Sequence, residues 1–197
     1  LSLHMTDISF SSRQLSEIKN VFAPLKMEPS ASYPYPFDSA TSMLQMSIDS
    51  KLSISHMKRV NELAHMPEKA LNRGLDVIWR SMRACIQQGL LAQGTLPGGL
   101  DLPRRAKSLH EQLEDDPAET NVNDWLCAYA MAVNEENAAG NMVVTAPTNG
   151  AAGVIPAVLF YLVKHEDGTR EQVRRFLLTA SAIGGIIKHR SSISGAE

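Results

Sequence analysis

Two cysteines in 197 residues leave almost nothing from which to build a disulfide framework or a metal centre. Cys85 and Cys127 each sit inside an apolar helical pattern, with no second cysteine or histidine at ligand spacing, so both are expected as small core residues and no metal ligand is assigned to this chain. An excess of either charge is also lacking. Nineteen Lys and Arg stand against 21 Asp and Glu, a net of −2, and no basic stripe is long enough to neutralise a run of phosphates. Nucleic acid is therefore excluded as the expected partner. Long hydrophobic runs are absent too: the most apolar windows, 154–163 and 176–187, are too short to span a bilayer, and no charged, apolar, small-residue leader precedes them. A soluble, cytoplasmic protein without a membrane partner is expected. At 44% hydrophobic content the chain can bury a real core, in one main domain. Leu1 in place of Met, and an end at Glu197 in mid-pattern, read as a fragment.

What is present is helical period almost throughout. Ser12 to Phe22 is a short amphipathic stretch, followed by "KMEPSASYPYPF", whose prolines and serines read as a tether, so residues 1–35 are expected as a peripheral segment and 36–197 as a helical domain. Asp38 can cap a helix bearing Met43, Leu44, Met46 and Ile48. Ser53 can cap another with Ile54, Met57, Val60, Leu63 and Ala64 on its inner face. From Pro67, the residues Leu71, Leu75, Ile78, Trp79, Met82, Ile86 and Leu90 keep helical period for about six turns. "LPGGLDLP" breaks the pattern and "RRAKSLHEQLE" resumes it. A further helix runs from about Asn123 to Asn137 with Trp125, Leu126, Tyr129 and Val133 inward, and Gly140 is its natural stop. "VIPAVLFYLVKH" reads as a buried helix, and Thr169 to Gln172 as the capping box of a last one, "EQVRRFLLTASAIGGIIKHR". Strand signals are confined to "VVTA". The fold class is all-α.

One segment fits neither core nor linker: "NEENAAGNMVVTAPTNGAAG", residues 134–153. Glu135 and Glu136 fall at the C-terminal end of a helix, where negative charge is unfavourable against the dipole by roughly 0.3 to 1 kcal/mol, and something should compensate them. Pairing with nearby arginines is one reading, a polar cluster facing a small charged substrate the other. "PTNG" alone is an ordinary turn. The small residues Gly150, Ala151, Ala152 and Gly153 precede a hydrophobic helix and would leave backbone N–H groups open to an anion such as a carboxylate. At the other end of the chain, Lys188, His189 and Arg190 sit where the dipole favours cations. An unperturbed imidazole titrates near neutrality, which makes His189 a candidate base, though such a residue is more often simply exposed.

The strings "SYPYPFDSAT", "MRACIQQGL", "LPGGLDLPRRA", "NDWLCAYAMAVNEENAAG", "VVTAPTNGAAGVIPAVL" and "SISGAE" together resemble the α domain of bacterial iron-sulfur L-serine dehydratases, from about Tyr33 to Glu197 and in register. The resemblance implies a compact helical catalytic domain that works with a β domain or β subunit, binds a [4Fe-4S] cluster, and deaminates L-serine to pyruvate and ammonia; a homo-oligomer is expected. It implies substrate contacts from Thr148, Asn149, Gly150 and the Ser194–Gly195 turn, supported by Asn134, Glu135 and Asn137, with Lys188 as candidate base or orienting charge. The departures matter as well. The family's cluster cysteines lie beyond the position of Glu197, so no cluster ligand and no activity are expected of this chain alone. Asn141 and Met142 stand where the family has Gly-Arg. Around 188–192 the family reads Lys-x-Asn-x-Ser, so Arg190 replaces an asparagine and His189 falls on a variable position, which argues against His189 as the base.

Two other classes compete. A pyridoxal-phosphate dehydratase would need a Schiff-base lysine and a glycine-rich phosphate cradle on an α/β fold, and "LPGGL" has neither the strand nor the glycines. The stronger alternative is a catalytically silent α-domain fragment that only packs against a β domain or partner subunit.

Overall fold

A computed structural model of the chain describes residues 33–116, 120–144 and 149–190, the side chains of His189 and Arg190 excepted. The described residues form seven helices: α1 (Ala40–Ser50), α2 (Ile54–Leu63), α3 (Glu68–Leu91), α4 (Ala106–Asp115), α5 (Val122–Ala138), α6 (Val154–His165) and α7 (Arg170–Arg190). No strand occurs among them; a lone bridge joins Thr95 to Pro103 inside the Gly- and Pro-rich break. The fold is all-α, as the periodicity indicates. The Ser12–Phe22 stretch lies outside the described residues, as does the 145–146 half of "VVTA".

Local chemistry sets most of the boundaries. The side chain of Ser53 accepts from the N–H of His56 at the start of α2. Thr169 and Gln172 cap α7 reciprocally, the Gln172 side chain accepting from Thr169 N at 2.7 Å and the Gln172 N–H donating to Thr169 Oγ1 at 3.3 Å. At α1 the cap is Ser39 rather than Asp38. Ser39 closes a capping box with Ser42, while the Asp38 carboxylate accepts from the Ser42 hydroxyl one residue outside the helix.

Helix α5 is the hub and packs against α3, α4 and α6. Trp125, Ala128, Tyr129, Ala132 and Val133 are buried on its inner faces. Two glycines permit the closest crossings: a Cβ at Gly89 would lie 2.4 Å from the Ala132 carbonyl oxygen, and one at Gly153 would lie 2.6 Å from that of Ala130. Both neighbours are backbone atoms that cannot step aside. Helix α3 and the entry to α6 are thereby held against α5 at backbone distance.

Three expectations need correction. Cys127 is exposed, unlike the buried Cys85, because it shares the outer stripe of α5 with Asn123, Asn134 and Ala138. On α2 the expected inner face is buried at Met57 and half-buried at Ile54 and Val60, but Leu63 and Ala64 are exposed, whereas Ser55, Lys58, Asn61 and Glu62 are buried, with Lys58 ion-paired to Glu62 one turn on. The reason is that α2 packs mainly on α7 and receives the chain before α1 on its other side. There the Asn61 amide accepts from the Tyr35 N–H and donates to the Tyr35 carbonyl, both at 2.8 Å. The tether reading thus fails at its C-terminal end, where Tyr35 and Phe37 dock against the Met43–Met57–Ala182 cluster.

Candidate active site

The segment that fits neither core nor linker begins in the last turn of α5. That helix ends in a Schellman arrangement: Gly140 has φ 77°, its N–H bonds the Asn137 carbonyl at 3.0 Å, and the Asn141 N–H bonds that of Glu136 at 2.9 Å. The left-handed conformation is why glycine stands there.

Both carboxylates of the turn are buried, Glu135 at 5% exposure and Glu136 at 3%. Glu136 Oε1 accepts from Arg104 Nη1 at 2.6 Å, and its Oε2 accepts from the side chain of Asn141 at 2.7 Å. Glu135 faces the start of α4, where Arg105, the N-cap residue, makes no side-chain cap of its own. Glu135 Oε1 instead accepts from the backbone N–H groups of Arg105 at 2.6 Å and Ala106 at 3.2 Å. A carboxylate from 30 residues away does the work of a cap and meets the positive end of a helix dipole. The misfit of two negative charges at the end of α5 is resolved in this way. Neither the α4 N-terminus nor Arg104 was assigned from the sequence; the only signal was "PRRA" opening a helix that lacks a capping side chain.

The amides of the same turn face outward. Asn134 is exposed and Asn137 half-buried. Asn137 Oδ1 accepts from Asn149 Nδ2 at 3.0 Å, which ties the turn before α6 to the end of α5. Gly150 is exposed, and among the described residues nothing lies within 4 Å of where a Cβ would be. One of the backbone donors expected to face an anion is already used: the N–H of Ala152 bonds the Asn149 carbonyl at 3.1 Å. Lys188 is exposed near the described end of α7. Thr148, Ser194 and Gly195 lie outside the described residues.

The structure thus brings Asn137 together with Asn149 and the adjoining Gly150, with Asn134 on the same helix end, while Glu135 turns to the α4 N-terminus. Asn141, at a position where the resemblance has glycine, supplies a bond to Glu136, while Met142, in place of arginine, is 48% exposed.

Comparison with known proteins settles the lineage. The model of the serine dehydratase alpha chain family matches residues 41–197. The chain belongs to that family. Among curated relatives, the L-serine dehydratase of Streptomyces coelicolor is 50% identical over 166 residues, covering 83% of this chain and 36% of that protein. L-serine dehydratase 1 of Escherichia coli is 44% identical over 173 residues, 84% of this chain and 38% of the relative, and the Helicobacter pylori L-serine dehydratase is 37% identical over 177 residues. The chain spans less than two-fifths of the length of these relatives.

The family resemblance implies an iron-sulfur cluster, and the residues of this chain do not fit one. Three thiolates are needed and the sequence has two cysteines, one on the inner and one on the outer side of the helices that carry them. Burial and then the nearby Glu136 carboxylate push the Cys85 thiol up to about 11, against thiolate formation. Among the described residues no group of three or more His, Cys, Asp or Glu converges on a point.

A separate polar cluster lies near the start of α5. A cavity of about 570 Å³ is lined by Trp125, Tyr161 and His165 together with Glu114. There the Tyr129 hydroxyl and His165 Nε2 are 2.8 Å apart, and burial, then Lys164, hold the imidazole below its ordinary range. Twelve helical residues, about 18 Å, separate Trp125 from Asn137, so this cluster is not part of the Asn149 turn.

Proposed function

We propose that this chain is the helical domain, residues 36–197, of a cytoplasmic, homo-oligomeric L-serine dehydratase, and that it forms one wall of the site converting L-serine to pyruvate and ammonia. The observation that carries the reading is the Asn149–Asn137 hydrogen bond, which fixes an amide beside the exposed Gly150 at one place. The Asn149 amide, the Gly150 N–H, the Thr148 hydroxyl and the Ser194–Gly195 turn hold the carboxylate and ammonium of serine. Asn134 and Asn137 support them from α5, and Glu135 supports them indirectly by fixing α4. Elimination of water requires that the α-proton be taken, and Lys188 is the candidate base or orienting charge. The [4Fe-4S] cofactor that goes with the family would take its thiolates from outside this chain, and the opposite wall of the site would come from a β domain or subunit. A second reading, a module that only packs against such a partner, draws on the shortfall of cysteines.

Pyruvate release from L-serine separates the two. The chain alone, reconstituted with iron and sulfide, is expected to release none, and the enzyme completed with the remaining part of its relatives' length is expected to be active. Pyruvate from the chain alone contradicts the assignment of the cluster elsewhere, and an inactive completed enzyme with cluster in place favours the packing module.

A further inference from the structure

The flank formed by α3 and the start of α7 is lined mostly by cations. A groove of about 710 Å³ runs there, lined by Lys69, Arg73, Arg80, Arg170 and Arg174 against one carboxylate, Asp76. Five cations and one anion leave a surplus of four positive charges in a chain whose net charge is −2. On α3 the residues Lys69, Arg73, Asp76 and Arg80 are spaced 4, 3 and 4 apart and share one face. Lys69 and Arg73, like charges one turn apart, disfavour the bare helix.

Asp76 is already committed. Its Oδ1 accepts from Arg170 Nε at 3.1 Å and Arg174 Nε at 3.0 Å, and its Oδ2 accepts from the Nη2 groups of both arginines, from Arg174 at 2.8 Å. The other carboxylates near the groove serve Arg59 and Arg174: Glu171 pairs with Arg59 at 3.1 Å and with Arg174 at 3.6 Å, and Glu68 with Arg59 at 3.5 Å. Lys69, Arg73 and Arg80 have no carboxylate partner among the described residues, and Arg80 only reaches its own helix, donating to the Asp76 carbonyl at 3.4 Å. Two arginines held by one carboxylate, and three cations with no carboxylate partner among the described residues, lining one concave surface of ligand size, make an anion receptor. Half-buried Trp79 lines the same groove and offers an aromatic surface beside the charges.

We infer that the α3–α7 groove binds a phosphorylated small molecule, its phosphates held by Arg73, Arg80 and Lys69 against the Asp76-braced pair Arg170 and Arg174. This site is built from different elements than the Asn149 turn and does not depend on the reading of that turn.

Calorimetric titration of the chain with inorganic pyrophosphate and with ATP, in about 0.15 M NaCl to screen non-specific attraction, tests it. One saturable site per chain is expected. The double substitution Arg73→Ser and Arg80→Ser, at exposed positions, should weaken it about 10-fold or more while leaving the unliganded melting temperature unchanged. Tighter binding of ATP than of pyrophosphate would identify a nucleotide through Trp79, and equal binding a simple phosphate ester. Absence of saturable heat with either probe, or an affinity that neither the double variant nor Lys69→Ser lowers, overturns the inference.

Discussion

Within four residues the last turn of α5 carries two carboxylates and two amides, and the fold treats the pairs oppositely. Glu135 and Glu136 are buried with their oxygens taken by α4, Arg104 and Asn141. Asn134 is exposed and Asn137 half-buried, and Asn137 is joined to Asn149 in the next turn. The charged residues, which look like chemistry in a sequence, hold the scaffold; the neutral ones, which look like a turn, are left at the surface where a substrate could meet them. Burying a charge without partners costs several kcal/mol, so a buried carboxylate with every oxygen engaged has little freedom left for a ligand.

The largest expected effect breaks the carboxylate side. Glu136→Ala strands Arg104, whose side chain is 9% exposed, and should cost about 3 to 5 kcal/mol in a urea melt. A loss under about 1 kcal/mol would mean that Arg104 turns to water and that the pair is not a lock. Glu135→Gln keeps the shape but weakens two charge-assisted bonds to the α4 N-terminus, and about 1 to 2 kcal/mol should be lost, with hydrogen exchange rising first at Arg105 and Ala106. Uniform exchange changes across the chain would deny the capping role.

The smallest effect lies on the α3–α7 flank, where the ion cluster is more exposed than the Glu136–Arg104 pair. Arg170 and then Arg174 hold the Asp76 carboxyl well below the usual carboxylate range. A carboxyl lowered in the folded state stabilises the fold above its unfolded pKa, about 4, and that stabilisation is lost as pH falls through the interval down to the folded value. Asp76→Asn should therefore lower stability at pH 7 by less than about 1 kcal/mol, and the gap to the parent should close as the pH is lowered from about 5 to 2. A gap that widens on acidification would contradict the sign.

These contrasts also divide what was legible in the sequence from what was not. Ser53, the Thr169–Gln172 box, the Gly140 stop and the inward Trp125, Tyr129 and Val133 follow from chemistry within a few residues, and each appears where periodicity and capping place it. The fate of Glu135 depends on a helix start 30 residues earlier, and that of Asn61 on a tyrosine backbone 26 residues away, so no local pattern announces either. Cys127 was misplaced for a related reason: an apolar neighbourhood in sequence does not say which side of α5 points outward. The tie between Asn137 and Asn149 was legible only through the family resemblance, which grouped both residues before any geometry joined them.

The central claim is that the amide side of α5 serves substrate and the carboxylate side serves the fold, and Asn149→Ala tests it most directly. In the completed enzyme the substitution should lower serine turnover on the order of 100-fold, about 2.7 kcal/mol of transition-state free energy, with the melting temperature and cluster absorbance unchanged. Turnover that stays at the parental level per folded molecule, with the melting temperature lowered instead, would make Asn149 a structural clasp and contradict the account.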